Sequence, residues 1–260
     1  MMMRNIVFIF CWSMMGLSSV IAGSPATPQA TPLPQNIPVI GNVQVSGSDA
    51  RAAAFNQQWM PKFQAIIDKN LAEQVVFVNA SGFKLDPDRF FLRQAANQTI
   101  RVYFLAEGAG YQNALGFTFS PAGSTTPGTP RLLFPNASIQ GGTVRNIDNP
   151  LKPGDFVEIG TGGNGWQLDF FLLPNGFQSW RSFNGQGTPP YIPWLWNDIS
   201  KNCDNFQHVV AFVMPDSPFI LVGFEDLIGG GDRDYNDALF VVDVGIENAT
   251  NLIDESTLPQ

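Results

Sequence analysis

The chain is poor in histidine, cysteine and basic residues: it has one histidine, two cysteines and 14 Lys+Arg among 260 residues. A single histidine excludes a histidine-rich zinc centre. Any Ser-His-Asp or Cys-His mechanism would have to use His208 itself. That side chain is expected on one strand face with Phe206, Val210 and Phe212, which favours a structural, hydrogen-bonded histidine. The bases are outnumbered by 22 acids, for a net charge of −8. Nucleic acid and anionic lipid both require basic surface, so neither is expected as a partner. Beyond the N-terminus no segment approaches the ~20 apolar residues of a membrane helix, so no membrane insertion is expected. No internal repeat is visible, which argues against a propeller or an array of calcium-binding repeats.

The N-terminus holds the one long apolar run. Arg4 supplies a positive start, Ile6 to Val20 an apolar stretch, and Val20-Ile21-Ala22 the small residues a signal peptidase reads. Residues 1–22 are expected to be a leader cleaved near Ala22, leaving a secreted, periplasmic or cell-surface protein. Cys11 lies inside the apolar run, which disfavours a lipoprotein. Removing Arg4 changes 22 acids against 14 bases to 22 against 13, moving the net charge from −8 to −9. Only Cys203 then remains, so no intramolecular disulfide can form, and this lone thiol is expected to be buried.

Residues 23–47 are rich in Pro, Ala, Thr, Ser and Gln and read as an extended linker. Ser48 or Asp49 can cap a helix over Ala52 to Trp59. Pro61 can open a second one through Leu71, with Phe63, Ile66, Ile67 and Leu71 on one face. From Gln74 onward the rhythm is that of strands, at Val75–Val78, Thr99–Leu105, Ala114–Phe119, Phe156–Ile159, Trp166–Leu173, Phe206–Met214, Phe219–Val222 and Ala238–Val244. Eight short strands without crossover helices predict an all-β antiparallel sandwich or jelly roll with a short helical N-terminal elaboration. The β-sandwich domain is expected over 48–248, followed by a tail over 249–260.

The densest chemistry lies in Glu225 to Asp237, where five acids and Asn236 fall in thirteen positions around Gly229-Gly230-Gly231. Like charges this close repel unless a cation neutralises them, and hard oxygens in a glycine-relaxed loop suit Ca²⁺. The alternative is a solvated acidic turn. Asp232-x-Asp234-x-Asn236 begins like an EF-hand and Asp243 falls at the twelfth position. Position six is Asp237 rather than Gly, however, and Ala238 to Val242 reads as strand. The expected arrangement folds Asp226 back toward Asp232, Asp234 and Asp237. Asp232, Asp234 and Asn236 would share a face if that stretch is extended. The candidate metal ligands are Asp226, Asp232, Asp234, Asn236, Asp237 and Glu225, with Ca²⁺ as the cofactor.

Glu225-Asp226 and Asp232-x-Asp234-Tyr235-Asn236-Asp237 resemble the C-terminal signature of the bacterial domain of unknown function 4114. The resemblance extends to Leu168–Gly176, to His208–Phe212 and, more loosely, to Glu107–Tyr111 with Ala114-Leu115-Gly116, covering residues 99–245. It implies an exported surface or matrix protein, adhesin-like, with a metal held by the acids, and it implies no particular activity. The chain shows no long adhesin repeats and no C-terminal sorting helix, so a released or periplasmic protein is expected.

A second candidate lies after Asn175-Gly176, where Phe177, Trp180, Phe183, Tyr191, Trp194 and Trp196 fall within twenty residues. Exposed rings stack on sugars or grip partners, so Trp180, Tyr191, Trp194 and Trp196 are candidate ligand contacts for a glycan or surface protein. The alternative is that they plug one end of the sandwich, since Trp is usually well buried. Smaller signals are N-x-S/T sequons at Asn79, Asn97, Asn136 and Asn248, and a turn at Leu85–Asp88. Glu107, Glu158 and Asp169 have no motif to recommend them. The reading is an exported, calcium-binding, noncatalytic module, adhesin-like or glycan-binding. A carboxylate-using polysaccharide hydrolase and a metal-stabilised scaffold protein remain open.

Overall fold

The computed structural model describes residues 29, 33–78, 85–93, 96–139, 141, 145–183 and 191–256, without the side chains of 253–256. The expected leader, the Asn79 sequon and residues 184–190 of the aromatic loop lie outside the described residues. Among the described residues there are ten strands: β1 Phe91–Leu92, β2 Arg101–Ala106, β3 Ala114–Pro121, β4 Arg131–Phe134, β5 Phe156–Glu158, β6 Trp166–Leu173, β7 Leu195–Trp196, β8 Val209–Val213, β9 Phe219–Phe224 and β10 Ala238–Asp243. The helices are α1 Ala50–Ala54, α2 Met60–Asn70, α3 Gly176–Ser182 and α4 Ile246–Ser256.

The strands form two antiparallel sheets, β1-β6-β3-β4 and β5-β2-β10-β9-β8. β7 pairs with Phe171 and Leu172 of β6, while β1 pairs with Trp166 and Gln167 farther along the same strand. The inner faces meet in one apolar core that includes Phe117, Phe170 and Leu172 from the first sheet and Phe104, Val222 and Phe240 from the second. Both outer faces are covered as well. Phe55, Phe63, Ile67 and Leu71 pack over Tyr103, Leu221 and Val241. Ile37, Ile192 and Trp196 pack with Leu132, Phe171 and Leu173. Double coverage explains why β9 and β10 are buried at every position instead of alternating.

The helical layer follows from its caps. Asp49 accepts from the Ala52 backbone N–H at 2.8 Å and starts α1. A π-helical turn over Phe55–Trp59 joins α1 to α2, with the Met60 N–H reaching back to the Phe55 carbonyl. Pro61 has no N–H to return to the preceding turn, so a wider turn here costs no hydrogen bond.

Several expectations need correction. Val75–Val78 is not a strand: Val75, Val76 and Val78 are exposed, because no sheet edge reaches this stretch. The linker reading fails beyond residue 36, where Ile37 and Val43 are buried and Gln44 bridges to Phe156. Packing also continues past 248, since Ala249 and Leu252 on α4 enter the main core. Cys203 is exposed rather than buried. Asn136 and Asn248 are buried, so neither sequon is presented to solvent. The Asp86–Asp88 segment is a turn, and Asp88 accepts from the Ile199 N–H.

Candidate metal centre

One end of the sandwich gathers the polar chemistry. The segment 225–237 joins the end of β9 to the start of β10, and 107–113 crosses from β2 in one sheet to β3 in the other. The two loops meet where the Gly108 N–H donates to the Asn236 carbonyl at 3.1 Å. The turn after α2 joins them. Gln74, at φ 58, directs its N–H to Asp234 Oδ2 at 2.7 Å, and the Phe77 N–H donates to the Arg233 carbonyl.

The acids are sorted into two triads, not the single set expected. Glu225, Asp226 and Asp237 bring one carboxylate oxygen each within 4.8 Å of one another, and Glu73, Asp232 and Asp234 do the same. Glu73 was not a candidate from sequence; it lies about 160 positions from its partners and carries no motif. The extended face expected for Asp232, Asp234 and Asn236 does not form. Arg233 and Tyr235 take positive φ of 61 and 56, which breaks the period-two alternation and buries Asp234 while leaving Asp232 exposed. The EF-hand likeness also ends here: Asp243 sits in β10 and pairs with Arg51.

Backbone and amide donors hold the buried carboxylates. Asn113 Nδ2 donates to Asp226 Oδ2 at 2.7 Å, the Asp226 N–H to Asp237 Oδ2 at 2.8 Å, and the Arg233 N–H to Glu225 Oε2 at 3.0 Å. These bonds take Oδ2 or Oε2 in each case and leave the second oxygen of each carboxylate for another partner. Asn236 donates Nδ2 to the Leu71 carbonyl, and its Oδ1 faces Gly108 beside Glu73 Oε2. A Cβ at position 108 would come within 2.3 Å of Asn236 Oδ1 and 2.6 Å of Glu73 Oε2, so a larger residue would push these two side chains from their places.

The electrostatics are those of crowded, buried acids. Burial, reinforced by Asp232, raises the Glu225 carboxyl to about 7; burial and the neighbouring Asp226 raise that of Asp237 to about 8. Burial also pushes Asp226 and Asp234 upward. Glu107 is raised to about 7, chiefly by burial, with Asp226 and Glu73 adding to it. Each of these groups is costly to ionise without a neutralising charge.

Both triads fit a hard cation. Their donors are all oxygen, and ligands bound to Ca²⁺ at about 2.3–2.6 Å lie no more than ~5 Å apart, which accommodates the observed spread. A cleft of about 400 Å³ opens over them, lined by Glu73, Tyr111, Glu225, Asp226, Leu227 and Asp237, among others. His208 lies under the loop: Nδ1 meets the Glu225 carbonyl at 3.1 Å and Nε2 meets Asp204 Oδ2 at 3.0 Å. It is fully buried, and both ring nitrogens are engaged in holding the chain, as a structural histidine would be.

The aromatic candidates are divided by the fold. Trp196 is buried in β7, and Trp194 stacks on Phe171 at 4.5 Å between centroids and on Trp196 at 5.6 Å. Trp180 stacks on the buried Phe177. Tyr191 alone of the four is largely exposed, at 81%. Trp194 and Trp196 therefore pack against the outer face of a sheet. The start of α3 nonetheless adjoins the acids, because Asn113 accepts from the Asn175 N–H through Oδ1 while donating to Asp226.

Comparison with curated proteins and with solved structures returned no match. Family comparison matched residues 163–245 to the Domain of unknown function (DUF4114), a span that runs from just before β6 to just after β10. The segment that supplies Glu225, Asp226, Asp232, Asp234, Asn236 and Asp237 thus lies within the stretch that is similar to that family.

Proposed function

We propose that this protein is an exported, noncatalytic binding module whose acidic cleft takes Ca²⁺ and, through it, a ligand. The observation that carries the reading is the pairing of two oxygen triads at one end of a well-packed sandwich. Glu225, Asp226 and Asp237 would hold the ion most deeply, and Glu73, Asp232 and Asp234 nearer to solvent. The bound ion would offset the repulsion that burial imposes on these carboxylates. Binding without catalysis is favoured because His208 is fully occupied in structural contacts.

The ligand face is the cleft rim more than the tryptophan segment. Tyr111, Leu227 and Ile228 are partly exposed beside the acids. A polyhydroxyl ligand such as a glycan can give oxygens to Ca²⁺ while its apolar face rests on an aromatic ring. That combination supports the glycan-binding, adhesin-like reading over a purely structural one.

The test is calorimetric titration with Ca²⁺, paired with thermal melts in Ca²⁺ and in EDTA. Binding to the native state alone raises the melting temperature by mass action. No heat at millimolar Ca²⁺, together with identical melts, would reject the metal. A Ca²⁺-dependent melt with no binding on a glycan array or to cell surfaces would retain the metal and leave the scaffold role.

A further inference from the structure

We propose that Lys201 Nζ and the Asp169 side chain join in an intramolecular isopeptide bond, tying the centre of β6 to the turn after β7. Asp169 is fully buried on the outer face of its sheet, and the Lys201 side chain is 5% exposed. Nζ stands 2.8 Å from Asp169 Oδ2 and 3.0 Å from Asp198 Oδ2. It makes a well-directed hydrogen bond to neither, although an ammonium has three protons to place. Thr118, paired directly across from Asp169 in the sheet, also has a buried Oγ1 without a partner. The carboxylate is held beside Nζ from both oxygens, Oδ1 accepting from Gln167 Nε2 at 2.6 Å and Oδ2 from the Ser120 hydroxyl at 3.4 Å, while the buried ammonium still bears the cost of its charge. An amide needs a partner for one N–H and carries no charge.

The surroundings hold the parts such a condensation needs. The condensation begins with one proton passing from Nζ to Asp169 Oδ2, which gives an amine and a carboxylic acid. The Nζ lone pair then adds to Asp169 Cγ. Gln167 Nε2, 2.6 Å from Asp169 Oδ1, donates to the oxygen that becomes negative. Asp198 takes a proton from the nitrogen and returns it to Oδ2, which leaves as water. One C–N bond forms, one C–O bond breaks, and amine plus acid become amide plus one water. No oxidant or cofactor enters. Asp198 is suited to the carrier role because it is held in place, its Oδ1 accepting from the Ser200 N–H and hydroxyl at 2.9 and 2.7 Å. The Trp196 ring, 5.9 Å from Nζ, covers the pair on one side.

Intact-mass measurement of the purified full chain tests this. The wild type should be lighter than its sequence by one water, and Lys201→Met and Asp169→Ala should each return to the sequence mass. Asp198→Ala should fold yet remain largely uncondensed. Should these variants fail to fold, a tryptic digest of the wild type decides alone. It should leave the bond after Lys201 uncut and yield a branched peptide containing Asp169. Recovery of the Asp169 peptide in linear form, in full amount, overturns the proposal and leaves an ordinary buried ion pair.

Discussion

At the scale of single residues, the acids set the behaviour of the cleft. Asp237 has its carboxyl raised to about 8, so its protonated form is the one the empty site prefers near neutrality. Asp237→Asn imitates that form. It should leave the melting temperature in EDTA at pH 8 unchanged or higher, and should remove most of the rise that Ca²⁺ produces. Asp226→Ala should also lose the Ca²⁺ response but melt lower in EDTA, because Asn113 Nδ2 would lose its acceptor. The pH dependence has a definite sign. Glu225 and Glu107 rise from 4.5 to about 7 and Asp237 from 3.8 to about 8, so between about pH 4 and 8 the native state holds protons that the unfolded chain has released. Stability from these groups is complete below their unfolded values and is lost as pH rises through the folded ones. Melts in EDTA should therefore fall from pH 5 to pH 8, while excess Ca²⁺ should flatten the fall. A melt in EDTA that rises over that range would contradict this account.

At the scale of elements, the helical layer and β7 make separate predictions. Glu73 follows α2, and α2 is fixed to the sheet by Phe63 and Ile67. Glu73→Gln, at an exposed position, should leave the EDTA melt within ~0.5 kcal/mol of wild type and weaken Ca²⁺ binding. Phe63→Ala should cost ~3–5 kcal/mol, as buried aromatic truncations do. It should weaken Ca²⁺ as well, through displacement of Glu73. Equal Ca²⁺ affinity in Glu73→Gln and wild type would restrict the ion to the Glu225, Asp226 and Asp237 triad. For β7, Trp196→Ala should destabilise by ~3–5 kcal/mol, measured by chemical denaturation. A stable Trp196→Ala variant with lost ligand binding would restore the stacking-platform reading that its burial disfavours.

At the scale of the whole molecule, export is proposed for a fold in which Cys203, the one cysteine among the described residues, is free. The mature chain should begin near Gly23 and be recovered outside the cytoplasm, as N-terminal sequencing of the fractionated protein would establish. An intact Met1 on cytoplasmic protein would remove the exported role. The sandwich has sheets covered on both faces, so its stability rests on apolar burial, and a bound cation would add to one end of it. Ca²⁺ removal should loosen 225–237, 107–113 and the turn after α2 together, because the hydrogen bonds from Gly108, Gln74 and Phe77 link these segments. Hydrogen exchange in EDTA should show the three segments lose protection as a group while β9 and β10 keep theirs.

The strand rhythm, the Asp49 cap and the acid motif were legible in the sequence because each is a local signal. Alternating or continuous apolar runs, a capping side chain and closely spaced carboxylates declare themselves within a dozen residues. Trp166–Leu173 forms β6 over the bounds its pattern suggests. Other elements carry weaker local signals. Arg131–Phe134 is short, and Ile246–Ser256 has its core contacts only at Ala249 and Leu252 among residues with described side chains. Val75–Val78 has strand-forming side chains and no neighbouring strand to bond, so propensity is overruled by position. The site shows the same division. The sequence named the acids between Glu225 and Asp237, but only the tertiary structure divides them into two triads, by turning the backbone at Arg233 and Tyr235. It also brings Glu73 across from the end of α2, and it draws Trp196 inward against Phe171. Which residues can bind an ion is a property of their chemistry; which of them meet is fixed by how helices and sheets pack far along the chain.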